Sequence, residues 1–252
     1  MIRKSIICFL VMLTIFSSVL TPLVYAETQE PLSYNEIIFK NKDILKEYID
    51  EGLDASKLNH RNEILRYQAN FNLVADGIFG NISKDVFYNN YEVVDLIPEE
   101  MKNKEWFIVV NTENRVLTVY KNGEIYKKYP IAVGKDSTKT PSHKFTIVNK
   151  SINPYWGGMF GKYKPIKGGA PNNPLGKRWM GLSTEKYRGY GIHGNADPYS
   201  IGKRISAGCI RMINEDIEEL FEYMTIGTDV WTGTNDKLKE WGILQKYKAI
   251  SL

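Results

Sequence analysis

The chain has 252 residues, 43% of them hydrophobic and 25% charged, which excludes collagen-like, disordered and coiled-coil architectures and predicts one domain with a smaller companion. Arg3 and Lys4 account for two of the 33 basic residues set against 29 acidic ones. The excess that remains is no nucleic-acid-binding signature, and no nucleic-acid partner is expected.

Residues 1–26 read as a secretory signal peptide. Arg3 and Lys4 supply a positive start, Ile6 to Val19 an apolar run broken by Thr14, Ser17 and Ser18, and Val24-Tyr25-Ala26 a small-residue cleavage site. The run is shorter than the ~20 residues a membrane span needs. A secreted protein working on the extracytoplasmic side is therefore expected. Cleavage after Ala26 removes Cys8 and leaves Cys209 as the only exported cysteine, with no partner for an internal disulfide. Such a thiol is either a small buried hydrophobe or a nucleophile.

Residues 27–103 are polar with helical spacing. Asp43 to Ile49 and Glu63 to Gln68 place apolar residues three and four apart, and Asp76-Gly77-Ile78-Phe79-Gly80 is a tight turn before a third helix from Asn81. From Trp106 the pattern turns to strands. Trp106 to Asn111 and Val116 to Tyr120 are β-rich, Asn122-Gly123 is a strong hairpin signal, and Ile125 to Val133 and Phe145 to Val148 continue the alternation. Residues 152–181 are rich in Gly and Pro and carry Tyr155, Trp156, Phe160 and Tyr163, the composition of a flap over a site or of a loop completing the core. Asn214 is the expected N-cap of a helix through Met224, Val230 to Thr232 a last strand, and Asp236 to Lys248 a charged tail helix. The expected fold class is α+β: a small helical module at 35–92, a mainly β domain at 105–232, and a helical tail at 233–252.

Three histidines and one exported cysteine leave no plausible metal set, and none is expected. His60 and His143 each stand alone and read as surface residues. His193 closes a strand, and the polar loop after it leads to Ser206-Ala-Gly-Cys209-Ile-Arg211. That loop can set imidazole beside thiol, where an imidazolium stabilises the thiolate, with Lys203, Arg204 and Arg211 adding positive potential. The backbone N–H groups of Gly208 and Cys209 are the candidate oxyanion donors. Ser183 and Lys186 match a Ser-x-x-Lys element of serine acyltransferases, but the companion elements would have to follow it and instead precede it.

With these residues in place the segment from about Glu105 to Thr232 resembles a YkuD-type L,D-transpeptidase catalytic domain. The resemblance is carried by Ile192-His-Gly, Ile201-Gly, Ser206-Ala-Gly-Cys-Ile-Arg, Thr140-Pro and the Val116 to Gly123 hairpin. It implies a β-sandwich catalytic domain, Cys209 as nucleophile, and His193 as its base and later its acid. Arg211, Ser206, Gly194, Tyr190 and Trp156 then become candidate substrate-binding residues. Peptidoglycan stem peptides are the implied donor and acceptor, carbapenems the implied inactivators, and no cofactor is needed. Ala207 stands where many members carry a second histidine, and His143 where a glycine is usual. Residues Glu63 to Tyr88 are similar to the second half of a three-helix peptidoglycan-binding module, which implies contact with glycan strands. Water as acceptor would make the protein an L,D-carboxypeptidase, and a domain that only holds peptidoglycan is the reading from another class.

Overall fold

The computed structural model describes residues 32–250, so the expected signal peptide lies outside the described residues. Helix α1 (Tyr34–Asp50) opens on a capping box in which Ser33 and Glu36 satisfy one another's backbone N–H groups. Helices α2 (Leu58–Asn70) and α3 (Asn81–Tyr88) complete the helical segment. Leu45, Ile64, Tyr67, Phe71 and Val86 form its apolar centre. The buried Gln68 side chain fixes the Asp76–Gly80 turn: its Oε1 accepts from the N–H groups of Asp76 and Gly77, and its Nε2 donates to Asp76 Oδ1 and the Ile78 carbonyl.

His60 is not the surface residue its isolation suggested. It is buried, stacked on Tyr48 with centroids 4.2 Å apart, and its Nδ1 accepts the Asp54 N–H at 3.1 Å. His143 is half-buried at the start of a strand, edge-on to Phe145 and Tyr187, because its backbone pairs with Thr232.

Strand β1 (Tyr91–Leu96) and helix α4 (Glu99–Lys102) lead into β2 (Trp106–Asn111), β3 (Val116–Lys121) and β4 (Glu124–Gly134). Asn122 and Gly123 both take positive φ, 50° and 86°, the type I′ geometry that suits a two-residue hairpin. There follow β5 (His143–Ile152), α5 (Gly158–Gly161), β6 (Arg178–Ser183), β7 (Tyr190–His193), β8 (Arg204–Ser206), β9 (Ile210–Met212), α6 (Asn214–Tyr223), β10 (Asp229–Gly233), α7 (Asn235–Glu240) and β11 (Leu244–Ala249). The large sheet runs β3-β2-β10-β5-β6-β7-β9-β4-β8, and β4 also pairs with β3, so its two halves are joined through β4. Inside lie Ile108, Leu117, Ile131, Phe145, Ile147 and Ile192, and α6 adds Ile217, Leu220 and Phe221 to the same cluster. Fully burying each such side chain is worth ~1.5–3 kcal/mol.

The helices share a core with this sheet. Leu65, Ala69 and Ala75 pack with Val116, Ala132, Ile201 and Ile213. The described residues, 32–250, form one compact unit.

The expected helical tail at 233–252 is corrected. Only α7 is helical. Gly242, at φ 78°, turns the chain out of the helix, and β11 then pairs antiparallel with β1 from Tyr91↔Ala249 to Leu96↔Leu244. Trp241 packs on Trp231 instead of extending a helical face, and Tyr247 packs on Tyr91. This ribbon is fastened to the sheet by a buried ion pair. Lys128 on β4 donates to Asp95 on β1, while Tyr120, Asn72 and Gln245 donate to the same carboxylate.

Candidate active site

Strands β7 and β9 run side by side in parallel, with Ile192 opposite Ile210 and His193 opposite Arg211. Cys209, one step before β9, therefore sits beside Gly191, whose backbone N–H faces the thiol. A cleft of about 620 Å³ opens above this pair of strands. Of the residues expected from sequence, Cys209, His193, Arg211, Ser206, Tyr190 and Trp156 line it, and Gly194 does not.

The loop carrying Cys209 is held from beneath. Thr140 Oγ1 accepts the Gly134 N–H at 3.0 Å and donates to the Gly208 carbonyl at 2.8 Å, and Thr138 Oγ1 donates to the Ser206 carbonyl at 2.9 Å. The buried Ser206 hydroxyl accepts the Gly208 N–H at 3.0 Å and donates to the Cys209 carbonyl at 2.6 Å. Two expectations change here. Ser206 spends its hydroxyl shaping the loop, not holding substrate. Gly208 has already committed its N–H to Ser206, so it is not the free oxyanion donor the sequence suggested. Gly208 sits at φ 120°, and a Cβ there would lie 2.7 Å from the Tyr190 ring.

Gly194 also takes a different role. Its carbonyl accepts the His193 Nδ1–H at 2.6 Å, which fixes the tautomer and leaves Nε2 as the ring's free acceptor. Asn214 clamps the next residue, accepting the Asn195 N–H at 2.9 Å and donating to its carbonyl at 3.1 Å. Asn214 therefore starts α6 without capping it; Ile213 occupies the cap position. One face of the imidazole stacks on Trp179, with centroids 5.7 Å apart and planes 22° apart. Asn149 Oδ1 accepts the Trp179 indole N–H at 2.9 Å. Sequence reasoning missed Trp179 and Asn149, because no local motif marks them.

Burial decides the charge states. It lowers the His193 pKa to about 4, the Gly194 carbonyl only partly offsetting this and Arg211 reinforcing it. Burial also raises the Cys209 thiol, against the opposing pull of the Gly191 N–H and Arg211. The expected thiolate–imidazolium pair is thus not preformed. Among the described residues no hydrogen bond joins Sγ to the imidazole, and the thiol lies 3.7 Å from the Gly189 carbonyl. At neutral pH both the thiol and the imidazole are uncharged.

The cleft wall carries Arg188 and Arg211 and, among the described residues, no acidic one. The Arg211 Nε is buried without a hydrogen-bond partner. Lys203 and Arg204, expected to add potential here, are exposed residues outside the cleft lining. Tyr155, Trp156 and Met159 from the Gly and Pro-rich segment line the far side. Trp156 pairs through its backbone with Ile166 and stacks on Tyr163 at 5.8 Å.

The L,D-transpeptidase catalytic domain family YkuD matches residues 105–231, half of the chain. YqjB of Bacillus subtilis (strain 168), a protein bearing an L,D-transpeptidase name, is 37% identical over 143 residues, covering 56% of this chain and 78% of its own length. YkuD of the same organism is 42% identical over 125 residues, covering 50% of this chain and 64% of the relative. Among solved structures, the catalytic domain of the Enterococcus faecium L,D-transpeptidase is 29% identical with a TM-score of 0.42, covering 52% of this chain and 98% of that one. Several solved relatives are matched over only 49–61% of their length. The YkuD match, spanning the strands and loops that carry Cys209 and His193, and the coverage of YqjB place this chain in the YkuD L,D-transpeptidase family.

Proposed function

We propose that the protein is a peptidoglycan L,D-transpeptidase acting by cysteine acyl transfer. The observation that carries the reading is a half-buried thiol and a tautomer-fixed imidazole in one cleft whose charged lining residues, among those described, are cationic. A tetrapeptide stem bears carboxylates that suit Arg211 and Arg188. His193 Nε2 takes the thiol proton as Sγ bonds to the carbonyl carbon of the third residue. The proton passes to the departing amine, the C–N bond breaks, and D-alanine leaves with a thioester at Cys209. The Cys209 N–H is the remaining backbone candidate for stabilising the oxyanion. An amine from a neighbouring stem, deprotonated by His193, forms the new amide and restores the thiol.

The reading includes export through the 1–26 leader and glycan contact through the helical segment. Carbapenems would acylate Cys209.

Intact-protein mass spectrometry after addition of a carbapenem or a tetrapeptide donor tests the proposal. The parent should gain an acyl mass that Cys209→Ala lacks, and adding an amine acceptor should convert the peptide adduct to dimer. Turnover to tripeptide even at saturating acceptor would make the enzyme a carboxypeptidase. Absence of any adduct on the folded parent, with binding to sacculi retained, would support the wall-binding reading.

A further inference from the structure

The loop that joins His193 to Cys209 is gripped by the helical segment. Arg61 on α2 is buried, and its Nη2 donates to the Ile201 carbonyl at 2.8 Å and to the Asp76 carbonyl at 3.2 Å. No carboxylate among the described residues forms an ion pair with it. A buried guanidinium spent on two carbonyls is costly to desolvate, and its directional donors fix the spacing of the two segments it joins.

Both segments are shaped to receive it. Gly77, in the Asp76–Gly80 turn, has φ 76°, and a Cβ there would lie 3.0 Å from the Arg61 side chain. Gly202, next to Ile201, has φ 82°, and a Cβ would lie 2.7 Å from Leu65 and 2.9 Å from the Ala75 carbonyl. Ile201 itself is fully buried against Leu65 and Ala75. A further bond, from Tyr199 Oη to the Ser56 carbonyl at 2.9 Å, ties the same loop to the approach to α2. Beyond Gly202 the chain reaches Ser206 and the nucleophile within one short strand.

We propose that Arg61, seated on the Asp76–Gly80 turn, is a positioning residue for catalysis: it braces the Ile201–Gly202 loop and so sets Cys209 against His193, making the helical segment part of the catalytic unit. The inference rests on the transferase reading for its rate readout but not for its structural one.

The test uses the full chain as parent, Arg61→Met, Arg61→Lys and Val86→Ala. Val86 lies in the centre of the helical segment and serves as a control for lost stability. Imipenem acylation by intact mass gives kinact and KI, and amide hydrogen exchange is followed over residues 197–208. Arg61 does not line the cleft, so Arg61→Met should lower kinact about tenfold with KI within twofold of the parent, since small misplacements of a reacting group carry losses of that order. Exchange over 197–208 should quicken, and Arg61→Lys, which keeps one cationic donor, should recover part of both effects. Val86→Ala should lower the melting midpoint and leave kinact and loop exchange at parent values. The proposal is overturned if Arg61→Met keeps both at parent values, or if Val86→Ala reproduces both. If imipenem leaves the parent unmodified, the transferase reading fails, and the exchange comparison alone upholds or rejects the brace.

Discussion

Trp179 covers one face of the His193 imidazole, ring stacked on ring at 5.7 Å, while the Gly194 carbonyl holds its Nδ1–H. The stack and the hydrogen bond together leave the ring one orientation. The same indole shields the ring from water, and so contributes to the burial that depresses its pKa. Trp179→Leu should slow carbapenem acylation about tenfold and move the acid limb of its pH profile upward, toward the ordinary imidazole value of ~6.5. Asn149→Ala, which frees the indole N–H, should shift both in the same direction by less.

The unsubstituted enzyme should keep its acylation rate well into acid. With His193 at about 4, the neutral imidazole persists below pH 6 and is lost only as pH falls through about 4. Stability follows the same group with a definite sign. The unfolded chain takes up this proton near pH 6.5 and the folded chain does not, so stability is full above 6.5 and declines as pH falls toward about 4. The loss amounts to ~3 kcal/mol for a shift of this size. Urea denaturation at pH 7 and pH 4.5, with His193→Gln alongside, measures it, and the substitution should flatten part of the dependence.

Thr140→Val removes both bonds under the Cys209 loop while keeping the shape of the side chain. Leaving the buried Gly134 N–H and Gly208 carbonyl unpaired should cost ~1–3 kcal/mol, read as a lower midpoint in thermal melting. Acylation should slow in the same variant, because Gly208 carries Cys209.

Gly208→Ala should be more damaging to activity than to folding. Its left-handed φ of 120° and the Tyr190 ring 2.7 Å from the added methyl oblige the backbone before Cys209 to move. A drop of at least tenfold in acylation, with a folded circular dichroism spectrum, is expected.

Breaking the Lys128–Asp95 pair from one side should be severe. Both side chains are almost wholly buried, so Lys128→Met or Asp95→Leu alone leaves an uncompensated charge and should cost ~3–5 kcal/mol in urea denaturation. The double substitution should recover much of that loss.

Much of the site is legible in the sequence because its signals are local. Cys209 and His193 stand in short motifs, Asn122-Gly123 announces its own turn, and the helices of the N-terminal segment show their spacing. What escapes is set by pairing between distant segments. Asn149 meets Trp179 only because β5 and β6 pair with a register shift at that point. Arg61 reaches Ile201 across 140 positions, and nothing near either residue advertises the contact. The C-terminal residues carry a helical apolar spacing, yet become a strand because Tyr91 to Leu96 offers them an edge and Gly242 turns them toward it. The charge state of the thiol and imidazole was equally hidden, since it follows from burial and not from composition.

The position of β10 has a consequence for how the molecule is made. This strand lies between β2, to which it pairs in parallel, and β5, to which it pairs antiparallel, with Val109 opposite Trp231. The sheet therefore has a gap until β10 has left the ribosome, and closing it joins this strand to β2, more than a hundred residues upstream, and to β5, more than eighty upstream. Non-local, parallel pairing of this kind is slow to nucleate. Folding should be late and cooperative, with the Cys209 cleft assembled only once nearly the whole chain is present.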